Sequence, residues 1–285
     1  MPIFRLLATA LVLLAPLSFA QEPGPAAGTR VVAAKVALIE GDARILDRTR
    51  VVRWPKLGDS VYEGDSVVTG SDGEVHLAMD DGGYIGVRPG TELMVVSFGA
   101  QGRPDDHSVI SLIKGSFRSV SGWISKFSRE RAVIQTPAGP IGVRGTDHEA
   151  LVLPEGATEG EPGAYDRVYI GETMIETPHG SVDIKPDQAG FAPLGAVPPR
   201  LLDRIPDFFR PARNEARFVG LHDRIQQQLD KLREDRRYSG ASSGDQGRGS
   251  GSADRPGRPD SVQRPERPAR PERPARPDLP QRPIR

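Results

Sequence analysis

A Thr-Pro turn followed by a short apolar segment occurs twice in this chain, 41 residues apart. The copies span residues 136–146 and 177–186, and in each a Pro/Gly turn leads into apolar residues two apart and then a basic residue. Turn residues beside a period-two pattern predict a short strand with one buried face. Two copies favour a repeated all-β unit. Neither carries a nucleophile, a metal-ligand cluster or a phosphate loop, which indicates a binding module.

Turn signals recur about every ten residues between positions 36 and 192. Asp-Gly and Pro-Gly pairs precede alternating apolar residues, as hairpins and tight turns require. The segments 109–113 and 116–120 are predicted as separate strands around Lys114-Gly115. No helical pattern interrupts this range. The expected fold is therefore all-β, a short-stranded solenoid-like or sandwich β domain over residues 36–192, followed by C-terminal amphipathic helices and a disordered tail.

The N-terminus has the layout of a secretory signal peptide over residues 1–20. Arg5 precedes an apolar run, and Ser18-Phe19-Ala20 offers small residues for cleavage after Ala20. The run is shorter than the ~20 residues of a comfortable membrane span, although a retained anchor is the alternative. Residues 21–35 are expected to form a flexible lead-in. We expect an exported, periplasmic protein with no transmembrane span after cleavage, and its lack of cysteine excludes disulfides.

The charge is distributed unevenly along the chain. Residues 21–199 contain 17 Lys+Arg against 25 Asp+Glu, a net of −8, and residues 200–285 contain 20 against 13, a net of +7. Amphipathic helices are predicted over residues 200–237, in two parts. The first has an apolar stripe over 201–209 that Pro206 must kink or split. The second begins at Asn214 and runs to about Arg237.

These helices have several possible roles. They would pack on the β domain or form a homodimer through residues 214–237. Binding to a membrane surface is less favoured, because acids and bases are nearly balanced there.

Residues 239–285 form a Gly/Ser-rich and then Arg/Pro-rich tail that should be disordered. Arginines precede prolines every three residues between Arg264 and Arg276. In polyproline II geometry they would line one edge, spaced by ~9 Å. The tail is thus either an arm that contacts anionic envelope components or a solvated spacer.

The β region resembles the FecR domain family of bacterial periplasmic regulators. The resemblance rests on the Gly64-Asp65 step before residues 67–70, the Asp81-Gly82 turn, Lys114-Gly115 and, above all, Val143-Arg144-Gly145-Thr146. It implies a solenoid-like β domain that binds other proteins. The founding regulators also carry a cytoplasmic sigma-binding segment and a membrane span. Only about five residues precede the apolar run here, so a freestanding module is expected.

Candidate chemistry is sparse. Arg144, Gly145 and Thr146 could bind a ligand carboxylate through a guanidinium and a hydroxyl, or could be structural. Asp72, Asp80 and Asp81 flank glycines as turn formers and lack the ordered oxygens of a calcium loop.

The five histidines lie too far apart for a metal site, so no metal or cofactor is expected. His148 could act as a general base with Asp147 or a distant carboxylate, although a histidine on a solvated strand edge is favoured.

The leading hypothesis is a non-enzymatic binding or regulatory module whose partner is a protein, peptide or glycan of the cell envelope. The alternatives are an anti-sigma-type regulator of iron-uptake signalling and a periplasmic glycan or peptide hydrolase. Nucleic acid is not an expected partner, because the folded part is acidic and exported.

Overall fold

A computed structural model describes residues 30–126 and 130–242, with side chains as far as residue 231. The predicted signal peptide and the Arg/Pro part of the tail lie outside the described residues. The chain divides into two compact units, Met1–Arg237 and Tyr238–Arg285. All contacts described below lie within the first unit.

The described residues form an all-β domain with one α-helix, which confirms the predicted fold class. Most strands are short, and the three longest ones, which have 13 to 15 residues, each pair with several neighbours. In chain order the strands are β1 Val32–Glu40, β2 Ala43–Leu46, β3 Val52–Arg53, β4 Ser60–Tyr62, β5 Ser66–Thr69, β6 Glu74–Met79, β7 Tyr84–Val87, β8 Glu92–Gly99, β9 His107–Val120, β10 Ala132–Gln135, β11 Ile141–Leu153, β12 Gly163–Thr177, β13 Gly180–Ile184, β14 Ala189–Pro193 and β15 Arg200–Leu201. Short 3₁₀ helices occupy Ile124–Lys126 and Glu215–Phe218, and the α-helix α1 spans Leu221–Ser242.

The strands join in one hydrogen-bonded sheet whose main path is β15-β14-β12-β11-β10-β9-β7-β6-β1-β4. The pairs are antiparallel, apart from the parallel pair of β9 with β10. The two strands expected around Lys114-Gly115 are one strand, β9, whose first half pairs with β8 and whose second half pairs with β7 and β11. At the junction Gly115 has φ of +82°, and a Cβ there would lie 2.4 Å from Oγ1 of Thr91. Only glycine fits this change of partners.

The repeated Thr-Pro segments occupy equivalent places on either side of β12. Ile175 of β12 lies opposite Ile141 in the first copy and opposite Val182 in the second. In both turns the threonine hydroxyl donates to the carbonyl of the glycine three residues later, Thr136 to Gly139 and Thr177 to Gly180. The internal repeat read from the sequence is therefore a structural repeat around one shared strand.

One apolar core holds the sheet together. Its buried side chains come from most of the strands, so the sheet must curve around them; the largest fully buried ones include Ile45, Leu77, Phe98, Leu112 and Phe117. Since each strand alternates, the opposite faces of β9, β11 and β12 point away from this core. Those outer faces are covered by the chain that follows β15.

Three predicted boundaries differ from the structure. β1 begins at Val32, so the expected lead-in to residue 35 is too long. The helix expected from Asn214 begins later, at Leu221 after the 3₁₀ helix Glu215–Phe218, and it continues to Ser242, past residue 237. The predicted helix over 201–209 is wrong. Leu201 pairs with Gly190 in a two-stranded ladder, and the chain turns at Pro206, whose carbonyl accepts the N–H of Phe209. Proline prevents a helix here. Phe209 is nevertheless buried on the sheet and Leu202, Ile205 and Phe208 are half-buried, whereas Leu201 is exposed.

Candidate functional site

A row of charged side chains crosses the outer face of the sheet. Arg167 of β12 lies opposite Glu149 of β11, which lies opposite Arg118 of β9; Arg118 in turn lies opposite Gly86 of β7, and Gly86 opposite His76 of β6. Directly opposed residues share a face, so the row is continuous across five strands. We call the surface formed by this row and its neighbours the arginine face; its members are Arg88, Arg118, Asp147, Glu149, Arg167 and Tyr169.

Arg118 is the most fully engaged member of the arginine face. Its Nε and Nη2 donate to the two carboxylate oxygens of Asp147, at 2.8 and 2.7 Å. Its guanidinium lies 3.9 Å from the centroid of the Tyr169 ring. A planar guanidinium held by a bidentate carboxylate and an aromatic ring has a fixed direction. The remaining Nη1 therefore points to one place.

Nη1 of Arg118 points at a C-terminal segment of the same chain, residues 206–229, which we call the strap. Glu215 of the strap accepts a hydrogen bond from Nη1 of Arg118 through one carboxylate oxygen. The other oxygen lies 3.1 Å from Nη2 of Arg88, which is also 3.0 Å from Glu149. Arg88 also donates to the carbonyl of Arg210. Arg118 and Arg88 thus bind one carboxylate, that of Glu215, and we call this arrangement the clamp. The side chains of both arginines are about one-tenth exposed.

Phe218 packs beside this clamp on the gap left by Gly86. A Cβ at position 86 would lie 2.8 Å from Cζ of Phe218, so the ring sits where a side chain would otherwise stand. The ring centroid is 4.9 Å from the Arg118 guanidinium, 5.6 Å from His76 and 5.7 Å from Tyr84. Glycine in the middle of a strand marks such a close approach.

Apolar contacts anchor the strap on both sides of the clamp. Before it, Phe208 and Phe209 pack with Leu151, Tyr165 and Phe191. After it, the strap's apolar side chains pack against Val120, Trp123 and Tyr84; they are Phe218, Leu221, Ile225 and Leu229. The second group lies in the segment expected to mediate a homodimer, and here Phe218, Ile225 and Leu229 are buried within one chain. The strap is therefore an integral cover whose centre is ionic and whose ends are apolar.

Burial sets the ionisation of the clamp. Glu149 faces Arg88, Arg167, Tyr169 and Glu215, yet desolvation outweighs the attraction of the arginines and raises its pKa to about 7. Burial alone would lower the pKa of Arg118, but the bond and charge of Asp147 and the charge of Glu215 raise it. Arg118 is thus always a cation, whereas Glu149 titrates near neutrality.

Beside the clamp, His76 is fully buried. Its Nε2 lies 2.7 Å from Glu74 and its Nδ1 lies 3.1 Å from the hydroxyl of Tyr84. Desolvation lowers the pKa of His76, while Glu74 opposes that change. Both ring nitrogens therefore have partners, and the histidine positions Tyr84 against Phe218.

His148 lies on the inner face of β11 and is buried, so the expected solvated edge is wrong for this residue. Its Nδ1 is 2.7 Å from Asp166, which also accepts the hydroxyl of Thr173. Asp147, its neighbour in sequence, points to the other face and binds Arg118. A distant carboxylate, Asp166, is thus the partner of His148.

Nε2 of His148 is buried with no hydrogen-bond partner in the described part of the chain. His148 lines a cavity of about 50 Å³ together with Ser119, Ser121 and Asp81, among others. Burial raises the pKa of Asp81 to about 6. The cavity has room for a few water molecules and is far smaller than a sugar or peptide substrate.

The predicted binding triplet is split by a bulge in β11. Arg144 is exposed, Gly145 has φ of +59°, and Thr146 is fully buried. The Thr146 hydroxyl lies 3.1 Å from Oγ of Ser121. Glycine's left-handed conformation is what lets the strand change register here. A ligand could reach Arg144 but not Thr146.

The arginine face is not among the sites that the sequence predicts. A signal was present, since Asp147 and Glu149 are two apart in one strand and Arg167 and Tyr169 are two apart in the next. Period-two polarity on a long strand indicates a second, polar face. In the described residues there is no group of three or more histidine, aspartate or glutamate side chains that could hold a metal ion. No helix in residues 30–126 and 130–242 is long and apolar enough to span a membrane.

Comparisons with known proteins add little. No protein-family model and no curated protein matches the chain. Two crystal structures of a candidate anti-sigma factor from Parabacteroides distasonis ATCC 8503, at 1.65 and 2.50 Å resolution, share 11% and 12% identity with it, with TM-scores of 0.37 and 0.36. The alignments cover 50% and 49% of this chain and 60% and 59% of those chains. The chain thus spans about 60% of their length, and at these TM-scores the likeness carries no argument.

The contact between Phe218 and Gly86 predicts a specific coupling. Gly86→Ala should lower the free energy of unfolding by about 1–3 kcal/mol, because the new methyl group overlaps the ring. In a Phe218→Ala background the same change should cost less, since the ring is gone. Chemical denaturation of both single variants and the double variant measures this coupling; effects that add to within about 0.5 kcal/mol would show that the two residues do not meet.

The raised pKa of Glu149 predicts a pH dependence. Its folded-state pKa lies above the ordinary 4.5, so its contribution to stability is present below that pH and is lost as the pH rises through about 7. Relative to Glu149→Gln, the wild-type free energy of unfolding should fall by roughly 2–3 kcal/mol between about pH 4.5 and pH 8. The exposed Glu155→Gln should show no such difference. A pH-independent gap between wild type and Glu149→Gln would contradict the assignment.

Proposed function

We propose that this protein is an exported, non-enzymatic binding module of the FecR type, which regulates by contact with a partner in the periplasm. The observation that carries the proposal is the two-arginine clamp around Glu215. Guanidinium groups bind carboxylates through directed, charge-assisted hydrogen bonds. A partner that presents an acidic residue and a nearby aromatic ring would make the contacts that Glu215 and Phe218 make in the strap.

In this proposal the strap is an internal ligand of the arginine face. Arg118 is held in place by Asp147 and Tyr169, which do not belong to the strap, so the clamp should keep its shape when the strap leaves. Gly86 likewise leaves an aromatic pocket in the sheet itself. Preorganisation of this kind lowers the cost of binding a replacement.

The strap is covalently joined to the sheet that it covers, and this determines how strongly a partner must bind to displace it. A segment joined to its own site acts at an effective concentration on the order of millimolar. A partner must therefore bind the arginine face more strongly than the strap does, or make additional contacts. Exposed Arg144 is available for such contacts, whereas Thr146 is not. The proposed partner is an acidic protein or peptide of the envelope, which is narrower than the range that the sequence allowed.

The two alternatives have less support. An anti-sigma-type role in iron-uptake signalling follows from the family resemblance alone, and it would use the same face for its partner. A hydrolase would use His148 and Asp166, which have the geometry of an acid–base pair. The cavity beside them, about 50 Å³, is too small for a glycan or peptide. We therefore favour binding.

The groove beside the strap offers a place to test the proposal. Ser71 is exposed and lines a groove of about 430 Å³ between the sheet and residues 210–213 of the strap. A photo-crosslinking amino acid at position 71, in intact cells, should capture a defined second protein. Glu215→Gln, which weakens the strap, should increase the yield about tenfold.

The matched control is Glu155→Gln, which changes an exposed carboxylate outside the strap and should leave the yield unchanged. Capture of no second protein in either background would contradict the binding proposal. Capture that is equal in wild type and Glu215→Gln would show that the strap does not cover the partner's site.

A further inference from the structure

A hairpin with exposed apolar side chains lies near the beginning of the described residues, far from the strap in sequence. Residues 44–57, which we call the basic hairpin, comprise most of β2, the turn after it, β3 and the segment that follows. Four of its apolar residues are about half exposed or more: Val51 62%, Val52 49%, Trp54 67% and Leu57 70%. Large apolar residues exposed together, rather than singly, mark an interaction surface.

The exposure is imposed by well-defined local structure. The carboxylate of Asp47 accepts hydrogen bonds from the backbone and hydroxyl of Thr49 and from the backbone of Val51, at 2.7–3.0 Å. Farther on, Asp59 accepts the N–H of Lys56 at 2.8 Å. Arg53 extends inward to fully buried Asp65 at 2.7 Å. These hydrogen bonds and the ion pair fix the conformation of the basic hairpin, and its apolar side chains remain exposed.

Its charge is opposite to that of the surrounding domain. Residues 44–57 contain five Lys+Arg and one acidic residue, whereas residues 21–199 as a whole have a net charge of −8. Arg48, Arg50 and Lys56 are exposed and make no ion pair with a described residue. Three exposed cations therefore lie in the same hairpin as the exposed tryptophan and leucine, and the Arg44 guanidinium is 6.0 Å from the Trp54 ring centroid.

Tryptophan and leucine beside lysine and arginine are the residues that bind the interface of an anionic bilayer. The indole ring prefers the headgroup level, and basic residues are attracted by negative surface potential. We propose that the basic hairpin docks the protein on an anionic lipid surface. Trp54 and Leu57 enter the headgroup region, and Arg48, Arg50 and Lys56 lie against lipid phosphates. This surface shares no residue with the arginine face.

The edge position suits this role. β3 pairs only with β2 among the described strands, so the hairpin lies at a margin of the sheet. Each basic residue near an anionic surface contributes about fivefold to partitioning, so three of them contribute about a hundredfold. Two inserted apolar side chains add to this, whereas a neutral bilayer would gain only the apolar part.

Vesicle co-flotation of the full chain tests the proposal. Phosphatidylcholine vesicles with and without phosphatidylglycerol serve as probes. Wild type should bind the anionic vesicles, less tightly as salt rises, and Trp54→Ser/Leu57→Ser should reduce the partition coefficient at least about tenfold. Ile113→Ser/Val219→Ser, which changes two other exposed apolar residues, is the matched control and should bind as wild type does.

Tryptophan emission separates the hairpin from other lipid contacts. The chain has two tryptophans, and Trp123 donates its ring N–H to Asp106 within the fold. A vesicle-induced blue shift should therefore be lost in Trp54→Phe while flotation persists.

Two results would overturn the proposal. One is wild-type flotation of Trp54→Ser/Leu57→Ser, which would assign lipid binding to the tail. The other is no flotation of wild type, including the case in which the hairpin crosslinks to an acidic protein instead. Neither result bears on the strap, because Glu215→Gln and position 71 test a different surface.

Discussion

The clamp of Arg118 and Arg88 on Glu215 is the interaction on which the outer layer of this protein depends. Arg88, Asp147 and Glu149 are buried in the presence of the strap, and a bare outer face would expose this row of charged side chains beside apolar ones. Glu215 supplies a carboxylate that compensates positive charge on Arg118 and Arg88. Removing one partner of such a buried group costs more than the pair itself contributes, because the other charge is left without compensation. The strap is thus held at its centre by charge and at its ends by Phe209, Ile225 and Leu229.

The sequence predicted the turns and short strands of the sheet well. Thr136-Pro137 and Thr177-Pro178 begin equivalent turns on the two sides of β12, and Gly115 bends β9 where a turn was expected. These features are local, since turn chemistry and alternation act over a few residues. The all-β class follows from them. Strand lengths do not, because a bulge such as that at Gly145 looks like the end of a strand in sequence.

The strap and its contacts with the arginine face could not be predicted in the same way. The clamp joins residues about 100 positions apart, Arg118 and Glu215, and nothing local indicates that they meet. The stripe from Leu201 to Phe209 has helical spacing but adopts an extended and turned conformation, with Phe209 buried and Leu201 exposed, because tertiary packing overrides propensity around Pro206. The triplet Arg144-Gly145-Thr146 was read as one site because its residues are adjacent. Residues two apart in a regular strand share a face, but the bulge at Gly145 shifts the register, so Arg144 is exposed and Thr146 is buried.

The central claim is that the strap can open while the sheet remains folded, and native-state hydrogen exchange of wild type and Glu215→Gln tests it most directly. Local opening and global unfolding are distinguished by which amides exchange together. In Glu215→Gln, amides of residues 212–229 should exchange at least about tenfold faster, while those of β11 keep their wild-type protection. Equal acceleration of the strap and β11, or no change in the strap, would contradict the account.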